Sequence, residues 1–234
     1  MRAVARTETG LVRKINEDCY YCDLDAKLFV VADGMGGHLA GEVASKMAVE
    51  IIVNYSQNIS ISSAQSLWEA VSEANARIYA NSLNNASRQG MGTTVTCAKV
   101  LDDKLILAHV GDSRAYLFNG KEIIHLTDDH SFVGELVRSG SITENEAQRH
   151  PKRNILLRAL GAEEQVNIDI FEKSIKRGNL VLLCTDGLHN LLSDEEIYFI
   201  LLEMKDLESA VDDMIKLAYS RGAGDNITII LIQI

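Results

Sequence analysis

Three apolar runs, each abutting an aspartate beside a glycine, constrain this chain more than any other feature. Leu28-Phe29-Val30-Val31-Ala32 stops at Asp33-Gly34. Leu180-Val181-Leu182-Leu183-Cys184 stops at Thr185-Asp186-Gly187. Gly224-Asp225 leads into Asn226 and the apolar stretch 227–234. Each run is far shorter than the ~20 residues of a membrane span. None alternates like a half-exposed strand, so each reads as a short buried strand.

The intervening sequence supplies helices and more strands. A glycine-rich loop from Asp33 to Gly41 leads into a helix with Val43, Met47, Ala48, Ile51 and Ile52 on one face. A second helix carries Ala64, Leu67, Trp68, Val71 and Ile78 at helical spacing, with Ser62 and Gln65 as its capping box. A meander follows: strands over 93–100, 105–110, 114–118 and 121–126, with Asn119-Gly120 suited to a type I′ hairpin turn. Residues 166–171 alternate like a half-buried strand. Ser193 and Glu196 cap a helix to about residue 204, and Leu207, Val211, Met214, Ile215 and Ala218 mark another. Hairpin-linked strands in groups, separated by helix pairs, predict an α+β fold with antiparallel sheets. Residues 130–161 differ. They hold two short helical patterns, 132–139 and 144–149, punctuated by Gly140, a Thr143/Glu146 cap and Pro151, with patchy apolar content. They read as a mobile flap leaving the core between Asp112 and Asp186.

A chain of 234 residues with 47% hydrophobic content suits one domain with a substantial core. Its 33 acidic against 23 basic residues, without a basic run, argue against nucleic acid as a partner. With no membrane span and no apolar leader, the expected location is the cytoplasm. Cys19 and Cys22 have the spacing of a metal or redox pair, but on a strand residues three apart face opposite sides. The glycine-rich loop lacks the ending of a P-loop and the spacing of a dinucleotide fingerprint.

Chemistry concentrates at four aspartates: Asp33-Gly34, Gly111-Asp112, Asp186-Gly187 and Gly224-Asp225. Singly, each is an ordinary turn. As a set at the ends of buried strands, they would repel one another unless protonated or bridged by cations. An oxygen-only ligand set favours Mg²⁺, Mn²⁺ or Ca²⁺ over zinc.

The order of motifs then carries a resemblance. Gly10-Leu11-Val12-Arg13-Lys14-Ile15-Asn16-Glu17-Asp18 resembles the opening motif of bacterial PPM-family phosphatases, the protein phosphatase type 2C-like Ser/Thr phosphatases. Val31-Ala32-Asp33-Gly34-Met35-Gly36-Gly37-His38 is similar to their second motif. Gly90-Met91-Gly92-Thr93-Thr94, His109-Val110-Gly111-Asp112-Ser113-Arg114, Cys184-Thr185-Asp186-Gly187-Leu188 and Gly224-Asp225-Asn226-Ile227-Thr228 follow in family order.

The resemblance implies a four-layer α-β-β-α sandwich of two antiparallel sheets flanked by helix pairs, in a single catalytic domain over 1–234 with a flap at about 130–161. It implies two core Mn²⁺ or Mg²⁺ ions and a third, weaker site. Asp33 would bridge the core pair, with the Gly34 carbonyl on one ion and Asp186 and Asp225 on the other. Glu17 and Asp18 would act through metal-bound waters, and Asp112 with Asp186 would hold the third ion. Arg13 would grip phosphate, and His38 is a candidate proton donor because Met35 stands where some relatives carry a histidine. His109, His125, His130, His150 and His189 read as structural or surface residues. The implied activity is hydrolysis of phosphoserine and phosphothreonine in proteins, opposing a bacterial Ser/Thr kinase, by a monomer. The competing readings are a phosphatase devoted to one sigma-factor regulatory protein and a metal-free phosphoprotein scaffold. The first expects extra sensory segments, and the second expects lost aspartates.

Overall fold

Leu28, Val30 and Ala32 face a helix pair, whereas Phe29 and Val31 face a second sheet, so both sides of this strand are covered. That explains an apolar run without alternation. The computed structural model describes residues 1–36 and 40–234. Its elements are β1 (Arg2–Glu8), β2 (Asp18–Asp23), β3 (Leu28–Met35), α1 (Ala40–Asn58), α2 (Ala64–Asn84), β4 (Gly92–Thr93), β5 (Val95–Leu101), β6 (Lys104–Val110), β7 (Arg114–Phe118), β8 (Ile123–His125), α3 (Phe132–Arg138), α4 (Glu144–Gln148), β9 (Asp169–Ser174), β10 (Leu180–Cys184), α5 (Asp186–His189), α6 (Asp194–Glu203), α7 (Leu207–Ser220) and β11 (Ile227–Gln233), with a 3₁₀ turn at Ala86–Arg88.

One sheet has the order β1-β11-β10-β7-β8. The other has the order β2-β3-β5-β6-β9, with β4 beside β3. All their pairings are antiparallel. Three apolar layers hold the stack together. Leu67, Val71 and Ile78 of α2 and Ala44, Ala48 and Ile52 of α1 cover one sheet. Leu201, Val211 and Met214 of α6 and α7 cover the other. Between the sheets, Phe29, Leu105 and Leu107 meet Leu117, Leu183 and Ile230. This is the expected α-β-β-α sandwich. Cys19 packs toward the helix side and Cys22 toward the inter-sheet side, as the strand geometry requires. Among the described residues no helix is long and apolar enough to cross a membrane.

Several local readings need correction. The box opening α2 is Ser63 with Ser66, one residue later than expected, because Ser66 Oγ lies 3.0 Å from the Ser63 amide and returns the bond. At the β7–β8 turn only Gly120 has a positive φ. Asn119 instead accepts from the Lys121 and Glu122 amides through its side chain, so the turn is not type I′. The strand expected over 93–100 breaks at Thr94, which accepts from the Asp33 amide. Val166, Ile168 and Ile170 do pack inward as their alternation suggests, yet the ladder with β6 begins only at Asp169.

Candidate active site

Antiparallel order brings the chemistry to one end of both sheets. Asp33, two residues before the end of β3, faces the first residue of β2, so Asp18 and Asp33 are direct cross-strand partners. Two like charges in that position are unfavourable without a counter-charge. β10 stops two residues before Asp186, the first residue of α5, and β11 starts two residues after Asp225. Gly187 is needed here, since a Cβ at that position would lie 1.9 Å from the Asn226 carbonyl. β6 ends beside Gly111-Asp112. Burial, followed by repulsion from Asp18, Asp186, Asp112 and Asp225, pushes the Asp33 carboxyl well above its ordinary range. Asp18, Asp186 and Asp112 are raised mainly by burial as well. The predicted carboxylates are therefore one electrostatic cluster.

Specific donors aim them. Asp18 Oδ2 accepts from the Thr228 hydroxyl at 2.6 Å and the Thr185 hydroxyl at 2.9 Å, while Oδ1 is buried without a partner. Asp186 Oδ2 accepts from the Asn190 amide at 3.0 Å, and its Oδ1 is likewise orphaned. Glu17 Oε1 is the third such atom. The Glu17 carboxylate lies in a cradle that tolerates no side chain: a Cβ on Gly41 would stand 2.6 Å from Oε1, and one on Gly34 would stand 2.2 Å from the Gly41 carbonyl. Burial raises the Glu17 carboxyl, partly opposed by Arg13.

Asp112 is held through its backbone. His189 Nε2 donates to its carbonyl at 2.9 Å, the His130 amide donates to the Gly111 carbonyl at 2.7 Å, and the Gly111 amide donates to His130 Nδ1 at 3.1 Å. Burial holds the His189 imidazole down at about 3, so it is neutral at ordinary pH. Arg13 projects from the β1–β2 loop, half exposed, with its guanidinium 2.7 Å from Asp225 Oδ2. That hydrogen bond raises its pKa further.

These residues fit hard dications. The donors are all oxygens, three of them orphaned, and the charge is concentrated and only partly offset. Among the described residues no three His, Cys, Asp or Glu side chains close tightly enough to enclose a bare ion.

A cleft of about 350 Å³ extends from Asp112 between α3 and α4 on one side and Arg114, Asp129 and His189 on the other. Its floor is braced by Arg114, which makes two hydrogen bonds to Asp129 at 2.7 and 2.9 Å. The excursion carrying α3 and α4 is closed at its base, where Phe132 donates to the Ile155 carbonyl and Leu157 to the His130 carbonyl.

The family model for Protein phosphatase 2C matches residues 13–228. The chain belongs to the protein phosphatase 2C family. It is 38% identical to the serine/threonine phosphatase stp of Listeria monocytogenes, over all of this chain and 96% of that protein. A crystal structure of a bacterial serine phosphatase superposes with a TM-score of 0.93 at 37% identity, covering all of this chain and 98% of that one. The catalytic domain of the serine/threonine protein phosphatase PstP, crystallised in complex with two manganese ions, superposes at 0.89 with 35% identity, covering 98% and 96%. This protein phosphatase 2C chain is accordingly a phosphoprotein phosphatase. Asp18, Asp33, Asp112, Asp186, Asp225, Glu17, Gly34 and Arg13 are gathered at one end of its sandwich; His38 lies outside the described residues. The supporting groups Thr185, Thr228, Asn226 and His189 were not singled out from sequence, although each stands within three residues of a flagged aspartate.

Proposed function

We propose that this phosphatase hydrolyses phosphoserine and phosphothreonine in proteins with Mn²⁺ or Mg²⁺, opposing a Ser/Thr kinase in the cytoplasm. The observation that carries the reading is the set of orphaned oxygens, Glu17 Oε1, Asp18 Oδ1 and Asp186 Oδ1, beside the guanidinium of Arg13. Bound dications supply a water of lowered pKa and offset the charge of the phosphate. Asp33, Asp186, Asp225 and the Gly34 carbonyl would hold two such ions, Glu17 and Asp18 would act through their hydration, and Asp112 with Asp186 would hold a weaker third ion. Arg13 binds the phosphate through its planar fork, which gives two directed, charge-assisted bonds. The serine or threonine leaving group needs a proton, and His38 is its proposed donor. The whole chain acts as one catalytic domain, and as a monomer. Residues 130–161 form a flap over the cleft at Asp112 and contact the protein around the phosphorylated residue.

The test is phosphate release from phosphoserine, phosphothreonine and phosphotyrosine peptides with Mn²⁺, Mg²⁺ or EDTA. Turnover of the first two, dependent on cation and abolished by Asp186→Ala, is expected. Full turnover in EDTA after exhaustive dialysis would refute the metal role.

A further inference from the structure

Arg13 sits on a loop that buries almost nothing. Leu11, Val12 and Ile15 are 63%, 70% and 39% exposed, so apolar packing does not hold the segment between Glu8 and Asp18. A guanidinium that must meet a phosphate within a few tenths of an ångström nonetheless needs a fixed base. The Leu11 amide donates to the Ala223 carbonyl at 2.8 Å and Asn16 Nδ2 to Thr7 Oγ1 at 2.8 Å, and three further polar contacts of the loop converge on one side chain, Asn226, which is 4% exposed. Its Nδ2 donates to the Thr9 carbonyl and to the Ile15 carbonyl, both at 3.0 Å. Its Oδ1 accepts from the Glu17 amide at 2.8 Å. These bonds bracket Arg13 from both sides. Asn226 is itself anchored, because its amide donates to Asp225 Oδ1 at 2.9 Å and its carbonyl packs against Gly187. Gly10 completes the fit: with φ at +77°, its Cα lies so close to the backbone of residues 223 and 225 that a Cβ would stand 2.3 Å from the Asp225 carbonyl.

We infer that Asn226 is a positioning residue for phosphate binding, acting through Arg13. It fixes the arginine loop to the strand end that carries Asp225, so that phosphate grip and carboxylate cluster keep one geometry. Both amide protons and the carbonyl oxygen are used, and only an amide matches two carbonyls and one N–H at once. The inference rests on the proposed role of Arg13, and the experiment separates the two.

Asn226→Asp keeps the volume and the acceptor for the Glu17 amide but loses both donors. Asn226→Ala loses all three bonds and serves as the second variant. Steady-state kinetics use a small aryl phosphate at saturating Mn²⁺, with Mn²⁺ affinity measured by calorimetry so that saturation is assured. Either variant is expected to raise KM about tenfold, with kcat changing much less, as for loss of a supporting hydrogen bond. Arg13→Ala raises KM by at least as much. In the double variants the effects do not multiply, and KM stays within about twofold of Arg13→Ala alone. Amide exchange over residues 9–17 in the metal-free variants accelerates, while exchange in the β10–β11 core does not. Full multiplication of the two effects, or unchanged KM and exchange in the Asn226 variants while Arg13→Ala raises KM, overturns the positioning role. An unchanged KM in Arg13→Ala refutes the phosphate grip itself, and the inference falls with it.

Discussion

Asp33→Asn should stabilise the metal-free enzyme while destroying its chemistry. Asp33 is raised well above its usual range by burial and by four other aspartates, so its ionised form is held against unfavourable forces. Asp18 shows the same trend, raised to about 7 mainly by burial and then by Asp186 and Asp225. Removing one uncompensated buried charge is worth on the order of 2 kcal/mol, or ~4–8 °C in Tm for a chain of this length. The amide introduced there can donate to the neighbouring carboxylates, which an ionised acid cannot do. The sign with pH follows from proton binding. These carboxyls hold protons in the folded state at pH values where the unfolded chain has released them. Stability is therefore full below the unfolded value and is lost as pH rises through the raised folded value. Buried His109 and His189, held down at about 3, act oppositely at lower pH, where the unfolded chain takes up protons first. The clean window is therefore pH 6.5 to 8.5, scanned by calorimetry in EDTA. Wild-type Tm should fall across it, and the variant should fall less and melt higher at the alkaline end. Saturating Mn²⁺ should stabilise wild type far more than the variant. A wild-type Tm that is flat across the window, or a variant that melts no higher at pH 8.5, would refute the reasoning.

Thr228→Val removes the shorter of the two hydroxyl bonds to Asp18 without changing volume and should weaken Mn²⁺ binding ~10-fold by calorimetry, with partial recovery in Thr228→Ser. Asp112→Ala should keep the two tightest Mn²⁺ equivalents yet lose most of kcat; an unchanged kcat across a Mn²⁺ titration would reduce Asp112 to a turn residue. In the flap, Lys152 lies 5.1 Å from the centre of the Phe132 ring and helps hold α3, so exposed Arg149 and cleft-lining Arg153 are the better probes. Their double alanine variant should lower kcat/KM on a phosphoprotein ~5-fold while sparing an aryl phosphate, because only the protein spans the cleft. Equal losses on both substrates would make the flap a structural cover.

The strands that built the site were the most legible part of the sequence. β3, β10 and β11 are covered on both faces, so each carries an almost unbroken apolar run, and Asp33, Asp186 and Asp225 mark where those runs stop or start. The capping boxes at Ser193/Glu196 and Thr143/Glu146 were equally clear, since each is a local pair of side chains returning backbone bonds. β1 carries no such local signal. Its residues are half-buried at the edge of a sheet, and its pairing with β11 joins opposite ends of the chain, a relation that no local pattern reports. The same limit hid the supports of the site. Thr185 and Thr228 look like ordinary strand threonines until the register sets both against Asp18, and Asn226 looks like a turn residue until the loop carrying Thr9 and Ile15 is folded onto it.

The chemistry of those supports explains how a fold can hold such a cluster and still leave it usable. Lysine or arginine placed against each carboxylate would stabilise the metal-free protein, but it would also compete with a dication for the same oxygens. The structure instead uses neutral donors for the deepest contacts: hydroxyls on Asp18, an amide on Asp186, and peptide and imidazole N–H groups around Asp112. A neutral donor fixes one lone pair of a carboxylate without cancelling its charge, so orientation is obtained and the cation-binding potential is kept. Arg114, the most buried cation nearby, is committed to Asp129. Arg13 pairs with Asp225 from a half-exposed position, where exchange of a carboxylate for a phosphate oxygen costs little because water screens both arrangements. The uncompensated charge is therefore concentrated where function needs it, and the three packed apolar layers of the sandwich offset its cost.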